Sequence, residues 1–180
     1  MTRQQKLLVG LALAGALFVF SRTRMGAAVT EAITSKLAKL ILAEEGRRLT
    51  VYQDTGGVWT IGDGHKVVPG DGIYPYGSKR SITDAEADAL RDKDMAKALT
   101  TVTNYVRVPL AENQLMALAS LAYNIGSSAF SQSTLVRKLN AGTDPRAAAA
   151  AEFPRWVYDN GKVDAVLVKR RARELNLFNA

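Results

Sequence analysis

The chain has 180 residues, of which 47% are apolar, and a formal net charge of +7; this length suits one domain, and the apolar content excludes wholesale disorder. Cysteine is absent from the sequence and His65 is the only histidine, which excludes disulfides, thiol catalysis and a multi-histidine metal site. The basic surplus favours an anionic partner, but the basic residues fall in separate short clusters typical of a solvated surface, and the sequence contains no recognisable nucleic-acid-binding module.

An uncharged apolar stretch over residues 7–20 follows a short basic start and precedes Arg22 and Arg24. As a helix it would reach about 21 Å, which is shorter than a hydrocarbon core of about 30 Å. Three interpretations are open: a cleaved signal peptide, a permanent anchor, and a weak export helix that enters the membrane and later leaves it. The high Gly and Ala content and the poor cleavage site favour the third. A buried apolar helix of a soluble domain is a further alternative.

The next segments predict a helix followed by a small sheet. Residues 29–45 repeat apolar positions at intervals of three and four, which predicts a helix that Gly46 ends. Residues 47–68 carry strand-type residues on both sides of a turn over 54–57, and they predict a hairpin or meander. Residues 69–81 are rich in Gly and Pro and predict a loop.

The rest of the chain is predicted to be helical. Thr83 and Glu86 form a capping box for a helix that ends near Thr100. Asp144 and Pro145 have the cap and first-position chemistry for an alanine-rich helix. Together these patterns predict an α+β fold, in which a mostly helical body carries a small antiparallel sheet near its N-terminal part. The later helices are predicted over 112–124, 131–140, 146–156 and 169–177.

Glu45, at the end of the first predicted helix, and Asp54, in the following turn, are a candidate catalytic pair. A glycosidase needs two carboxyl groups across the scissile bond, one protonated and one ionised. The apolar run over 40–43 favours a protonated Glu45, whereas polar turn neighbours favour an ionised Asp54. Because a turn aspartate is usually structural, the pair by itself leaves the catalytic role open.

The sequence around this pair is more specific. Eight residues, the first of them Gly46, separate Glu45 from Asp54, and five residues separate Asp54 from Thr60. The run Ile-Gly-Asp-Gly-His follows Thr60 and ends at His65. This segment resembles the active site of the phage lysozymes of glycoside hydrolase family 24, whose pattern is Glu, eight residues, Asp or Cys, five residues, Thr. Further matches extend the resemblance over roughly residues 35–178. One departure stands before the late arginine run, where lambdoid relatives have Gly-Leu-Val and this chain has Val-Leu-Val over 166–168.

The resemblance implies a lysozyme-like α+β fold and a muramidase that hydrolyses the β-1,4 bond between N-acetylmuramic acid and N-acetylglucosamine in peptidoglycan. Glu45 would protonate the glycosidic oxygen. Asp54 would orient a water or stabilise the oxocarbenium-like state, and Thr60 would hold that water through its hydroxyl. Neither a metal nor a cofactor is expected.

The resemblance also assigns roles outside the catalytic three. His65 matches a histidine that the family pairs with an aspartate on its long helix, here Asp94, and this pair is expected to be structural, without a part in proton transfer. Tyr123, Asn124 and Ser133 match positions that line the family's glycan groove, and they are predicted to bind substrate.

The N-terminal stretch fits a second feature of the resemblance. Some phage endolysins have a signal-arrest-release helix that tethers an inactive enzyme to the inner membrane, and residues 7–20 are of that type. We therefore expect an export helix over 1–28 and a catalytic domain over 29–180, in a monomeric endolysin that is exported, tethered to the inner membrane and then periplasmic. Without cysteine, activation by thiol exchange is excluded, which leaves a refolding in which residues 7–40 change position.

Alternatives from other classes are a wall-binding protein with a dead site, a virion- or bacteriocin-associated muramidase, a basic nucleic-acid binder and a lytic transglycosylase. Intact Glu45, Asp54 and Thr60 argue against a dead site. A transglycosylase acting through a lone glutamate would not need Asp54 or Thr60, and a nucleic-acid binder would need a binding module.

Overall fold

The computed structural model describes residues 27–42, 46–54 and 56–180. The predicted export stretch 7–20 and the candidate acid Glu45 lie outside the described residues. Within the described ranges, every helix is too short or too polar to cross a membrane. The helices are α1 (Ala27–Leu42), α2 (Asp84–Tyr105), α3 (Glu112–Ile125), α4 (Ser127–Ser131), α5 (Thr134–Asn140), α6 (Pro145–Glu152) and α7 (Ala165–Asn179), with a 3-10 turn at Phe153–Arg155; the strands are β1 (Arg48–Gln53), β2 (Trp59–Gly62), β3 (His65–Lys66), β4 (Tyr158–Asp159) and β5 (Lys162–Val163).

The first three strands form an antiparallel sheet in the order β1-β2-β3, with β2 in the centre. Arg48 pairs with Gly62 and Tyr52 pairs with Thr60, so an irregularity lies between the two pairs on β1. The sheet confirms the predicted hairpin or meander. It packs on a small core of its own, made of Ile61, Val67, Ile73, Ile82 and Ala87.

The larger core lies among the helices and is built mainly on α2 and α3. Helix α2 belongs to both cores, because Ala87 packs in the small one whereas Leu99 and Val102 pack in the large one. Thr83 and Glu86 form the predicted capping box at its start. The helix continues past the predicted end at Thr100, since burial of its apolar side chains outweighs the weak helix propensity of the β-branched residues there. The architecture confirms the predicted α+β class, a mostly helical body with small antiparallel sheets.

Two segments that were each predicted as one continuous helix are interrupted in the structure. The predicted helix 131–140 is divided between α4 and α5, because Ser133 adopts an extended backbone and accepts a hydrogen bond from the amide of Val136, which starts a new helix. The predicted helix 146–156 is α6 followed by a 3-10 turn, and Pro154 in that turn lacks the N–H that a continued α-helix needs. Asp144 and Pro145 start α6 as predicted.

The C-terminal part differs most from the prediction. Strands β4 and β5 were not predicted. They form a hairpin whose turn residues, Asn160 and Gly161, both have positive φ. Asn-Gly is a typical sequence for such a tight turn and could have indicated the hairpin. Helix α7 starts well before the predicted Lys169, because Asp164 caps it by accepting from the amides of Val166 and Leu167. The Val-Leu-Val departure over 166–168 is therefore regular helix.

Candidate active site

Asp54 lies in the turn that joins β1 to β2, and the turn fixes its carboxylate. Its Oδ1 accepts hydrogen bonds from the amides of Gly56 (2.9 Å) and Val58 (2.8 Å), and its own amide donates to the Val58 carbonyl at 2.9 Å. An aspartate that binds the backbone of the following residues in this way is an Asx turn. Among the described residues Oδ2 accepts no hydrogen bond, so one carboxylate oxygen is available to a ligand.

Thr60 lies on β2, the central strand, and its side chain is buried. Its hydroxyl donates to the carbonyl of Val58 at 3.0 Å. Because Asp54 is hydrogen-bonded to Val58 across the hairpin, and Thr60 follows Val58 by two residues on the same strand, Asp54 and Thr60 belong to the same face of the hairpin.

Gly46 and Arg47, which follow Glu45 in the chain, lead directly into β1. Strand β1, which leads into the turn at Asp54, begins at Arg48, and Arg48 pairs with Gly62, two residues beyond Thr60 on β2. Two of the three motif positions, Asp54 and Thr60, therefore lie on one hairpin. The structure describes Asp54 and Thr60 there and does not describe Glu45.

His65 is buried at the start of β3, between two carboxylates. Its Nδ1 lies 2.7 Å from Oδ2 of Asp94 on α2, and its Nε2 lies 3.1 Å from Oδ2 of Asp71 in the loop 69–81. Burial lowers the pKa of His65, but the hydrogen bonds that its ring donates to the carboxylates of Asp94 and Asp71, together with their negative charges, outweigh that effect, so the pKa is raised above its ordinary value. Both ring nitrogens are therefore engaged within the protein, and the structural role of the His65–Asp94 pair stays a prediction.

The three predicted substrate-binding residues each have a partner within the protein. The hydroxyl of Tyr123 on α3 donates to the backbone carbonyl of Asp63 at 2.6 Å. Asn124 accepts from Arg171 at 2.9 Å, and Ser133 caps α5. Tyr123 thus connects the helical body to the turn between β2 and β3. The predicted contact of these residues with glycan stays a prediction.

A dense ionic cluster, which was not predicted from the sequence, lies beside the sheet. The guanidinium of Arg47 binds the carboxylates of Asp63, Asp84 and Asp88, and Arg91 contacts two of them. The capping box is the only feature of this region that a short sequence pattern indicates. Asp63 and Asp88 lie 16 and 41 residues from Arg47, and such distant partners leave no pattern in the sequence. Within the described ranges, acidic and histidine side chains nowhere form a group of three that is placed to hold a metal ion.

Comparisons with known proteins bear on this hairpin. The family model described as phage lysozyme matches residues 42–174, which include Glu45, Asp54 and Thr60. The chain is 38% identical over 152 residues to an endolysin of Acyrthosiphon pisum secondary endosymbiont phage 1, covering 82% of this chain and 98% of that relative. It is 38% identical over 128 residues to the SAR-endolysin of Escherichia phage Mu, covering 71% of this chain and 70% of the relative.

A solved structure agrees with the fold. The muramidase domain of SpmX from Asticaccaulis excentricus superposes with a TM-score of 0.67 and 35% sequence identity. The superposition covers 82% of this chain and 97% of that domain. The hairpin described above therefore belongs to a fold that a muramidase domain shares.

Proposed function

The chain belongs to the phage lysozyme family, and on that premise we propose that it is an endolysin that hydrolyses the β-1,4 glycosidic bond between N-acetylmuramic acid and N-acetylglucosamine in peptidoglycan. One observation carries the proposal: Asp54 and Thr60 share one face of the β1–β2 hairpin, and Glu45 lies just before that hairpin in the chain. Most glycosidases use two carboxyl groups that flank the scissile bond, and a neighbouring hydroxyl can hold the attacking water.

In the proposed mechanism Glu45 donates its proton to the glycosidic oxygen as the bond to the leaving sugar breaks. Asp54 uses the carboxylate oxygen that the Asx turn leaves unbound to orient a water and to stabilise positive charge at the anomeric carbon. Thr60 accepts a hydrogen bond from that water, because its own hydroxyl proton is given to the Val58 carbonyl. The water then gives a proton to the Asp54 carboxylate as it attacks the face of the sugar opposite to the leaving group, as in an inverting glycosidase.

His65 and Asp94 have a supporting role in this proposal. Their contact joins the last strand of the sheet to α2 and keeps the hairpin in place against the helical body. Tyr123, Asn124 and Ser133 remain candidates for contacts with the glycan strand. Each of these three residues would contact the glycan while it keeps its hydrogen bond within the protein.

We further propose that residues 1–28 are an export helix and residues 29–180 the catalytic domain. The relative in Escherichia phage Mu is named a SAR-endolysin, and the stretch 7–20 has the length and composition of a helix that enters the membrane weakly. The enzyme would be tethered to the inner membrane and then released, as a monomer, to act on the wall. Fractionation of expressing cells tests this: tethered protein should be inactive and released protein active, and equal activity of both would contradict the proposal.

The catalytic proposal is tested by clearing of outer-membrane-permeabilised Gram-negative cells with the wild type, Glu45→Gln and Glu44→Gln. The last variant is a matched control, because it removes the same charge one residue earlier. We expect clearing by the wild type and by Glu44→Gln and none by Glu45→Gln. Clearing by Glu45→Gln would show that Glu45 is not the acid, or that the basic chain damages membranes by its charge.

Two further results would overturn the proposed activity itself. If neither the full chain nor a chain lacking residues 1–28 clears the cells, the endolysin proposal is wrong. Mass spectrometry of the products separates hydrolysis from transglycosylation, since hydrolysis leaves a reducing sugar end whereas a lytic transglycosylase leaves an anhydro end.

A further inference from the structure

Arg47 lies two residues after the candidate acid Glu45 and is held by three carboxylates. Its Nε and Nη2 bind the two oxygens of Asp63 at 2.9 and 2.7 Å. Its Nη1 binds Asp84 at 2.9 Å and its Nη2 also binds Asp88 at 2.7 Å. The planar guanidinium has donors in a fixed fork, so this set of partners determines the orientation of the side chain as well as its position.

The bond to Asp63 follows from the register of the sheet. Arg48 and Gly62 form the last pair of the antiparallel ladder between β1 and β2, and Arg47 and Asp63 are the next residues beyond that pair. The Asp63 carboxylate is fully buried, whereas Asp84 and Asp88 are exposed at the start of α2. Removing Arg47 would leave the buried carboxylate with Arg91, whose nearest nitrogen is 3.6 Å away.

Asp63 is itself fixed from the other side of the molecule. Its backbone carbonyl accepts the hydrogen bond from Tyr123 on α3, and it lies between Gly62 and Gly64, which both have positive φ. The turn that carries Asp63 is therefore held by the helical body through its backbone and by Arg47 through its side chain. Because Asp63 is itself held in place, its bond to Arg47 can fix the position of the chain at Arg47.

We propose that Arg47 is a positioning residue, which fixes the chain immediately after Glu45 against Asp63 and so sets the place of the acid relative to Asp54 and Thr60. The proposal rests on the proposed function, because it assigns Glu45 the role of acid. Gly46 is the single residue between Glu45 and Arg47 and has no Cβ to restrict it. Arg47 is therefore the first residue after Glu45 whose side chain is held in place, by Asp63, Asp84 and Asp88. A displacement of about 1 Å at a reacting group can cost about 100-fold in rate.

The test compares Arg47→Met, Arg47→Lys and Lys138→Met in the full chain. Lys138→Met is a matched control in the helical body: Lys138 binds the buried carboxylate of Glu152 at 2.7 Å, and Glu152 keeps a second cation, Arg155, at 3.5 Å. Initial rates on soluble glycan-strand fragments of peptidoglycan give kcat and KM, and thermal unfolding gives stability.

We expect Arg47→Met to lower both the midpoint of unfolding and kcat. Arg47→Lys restores the charge, and therefore most of the stability, but not the two-pronged bond to Asp63. Its kcat should stay about 10- to 100-fold below that of the wild type, with KM within about twofold. Lys138→Met should lose stability with kcat within about twofold of the wild type.

A purely structural Arg47 would give a different result. If Arg47→Lys has the kcat of the wild type, or if Lys138→Met loses as much kcat as Arg47→Met at equal stability, the positioning role is wrong. A wild type that is inactive both as the full chain and without residues 1–28 would instead overturn the proposed function, so the two failures are distinguishable. Because Arg47→Lys keeps the charge, it decides the question even if Arg47→Met does not fold.

Discussion

Nδ1 of His65 lies 2.7 Å from Oδ2 of Asp94, so the short strand β3 is bound to the middle of the longest described helix. A second carboxylate, Asp71, lies 3.1 Å from the other ring nitrogen. Their hydrogen bonds raise the pKa of the imidazole against the opposing effect of burial. A histidine whose pKa is raised on folding makes stability dependent on pH.

We predict that Asp94→Asn destabilises the protein more at low pH than at high pH. Because the folded pKa of His65 lies above its unfolded value of about 6.5, the charged ring contributes stability that is complete below that value and is lost as the pH rises through the folded pKa. The loss of a hydrogen bond to a charged group should cost about 1.5–3 kcal/mol at pH 5.5 and clearly less at pH 9.5. Urea unfolding at the two pH values measures this difference.

Asp92→Asn, on the exposed side of the same helix, is the control for this experiment. It should change the free energy of unfolding by less than about 1 kcal/mol at either pH. Equal losses for Asp94→Asn at pH 5.5 and 9.5 would mean that the His65 contact does not depend on the charge of the ring.

Asp54→Asn and Asp54→Ala should separate the turn-forming role of Asp54 from its charge. Asparagine keeps an oxygen that can accept from the amides of Gly56 and Val58, so the free energy of unfolding should change by less than about 0.5 kcal/mol. The rate of hydrolysis should nevertheless fall by about 100-fold or more, since the charge is gone. Alanine should lose both activity and stability. An asparagine variant with the wild-type rate would refute the catalytic role of Asp54.

Thr60→Val and Thr60→Ser test the hydroxyl of Thr60. Valine preserves the shape of the side chain and removes the hydroxyl that is hydrogen-bonded to the Val58 carbonyl, at a cost of about 1 kcal/mol in stability. We expect kcat to fall about 100-fold in Thr60→Val and less than about fivefold in Thr60→Ser. Comparable rates for the two variants would show that the hydroxyl does not position the water.

Gly77→Ala should destabilise the loop between β3 and α2. A Cβ at Gly77 would lie 2.2 Å from the backbone C and O atoms of Gly72, so the loop would have to move. We expect a loss of about 1–3 kcal/mol, measured by thermal unfolding. Gly46→Ala is the control, because a Cβ there meets nothing within 4 Å among the described residues, and the change should stay within about 0.5 kcal/mol. Similar losses for the two variants would contradict the steric explanation.

Much of the local structure could be predicted from the sequence. The capping box at Thr83, the cap at Asp144 and the hairpin around Asp54 depend on hydrogen bonds between residues two to four positions apart. Residue types at such spacings are visible in the sequence, as is the Glu45, Asp54, Thr60 motif. The helix ends were less predictable: α2 runs on to Tyr105 because its last turns pack in the large core.

The sequence by itself determined the fold class, the family and the order of the candidate catalytic residues, because each of these depends on short spacings or on a motif within one segment. Only the tertiary structure decided which distant groups meet. Asp71 joins Asp94 at His65, and Arg47 meets Asp63 and Asp88, through packing of the sheet against α2. Contacts across such separations depend on the whole arrangement of elements, since their cost in chain entropy is met by burial elsewhere in the fold.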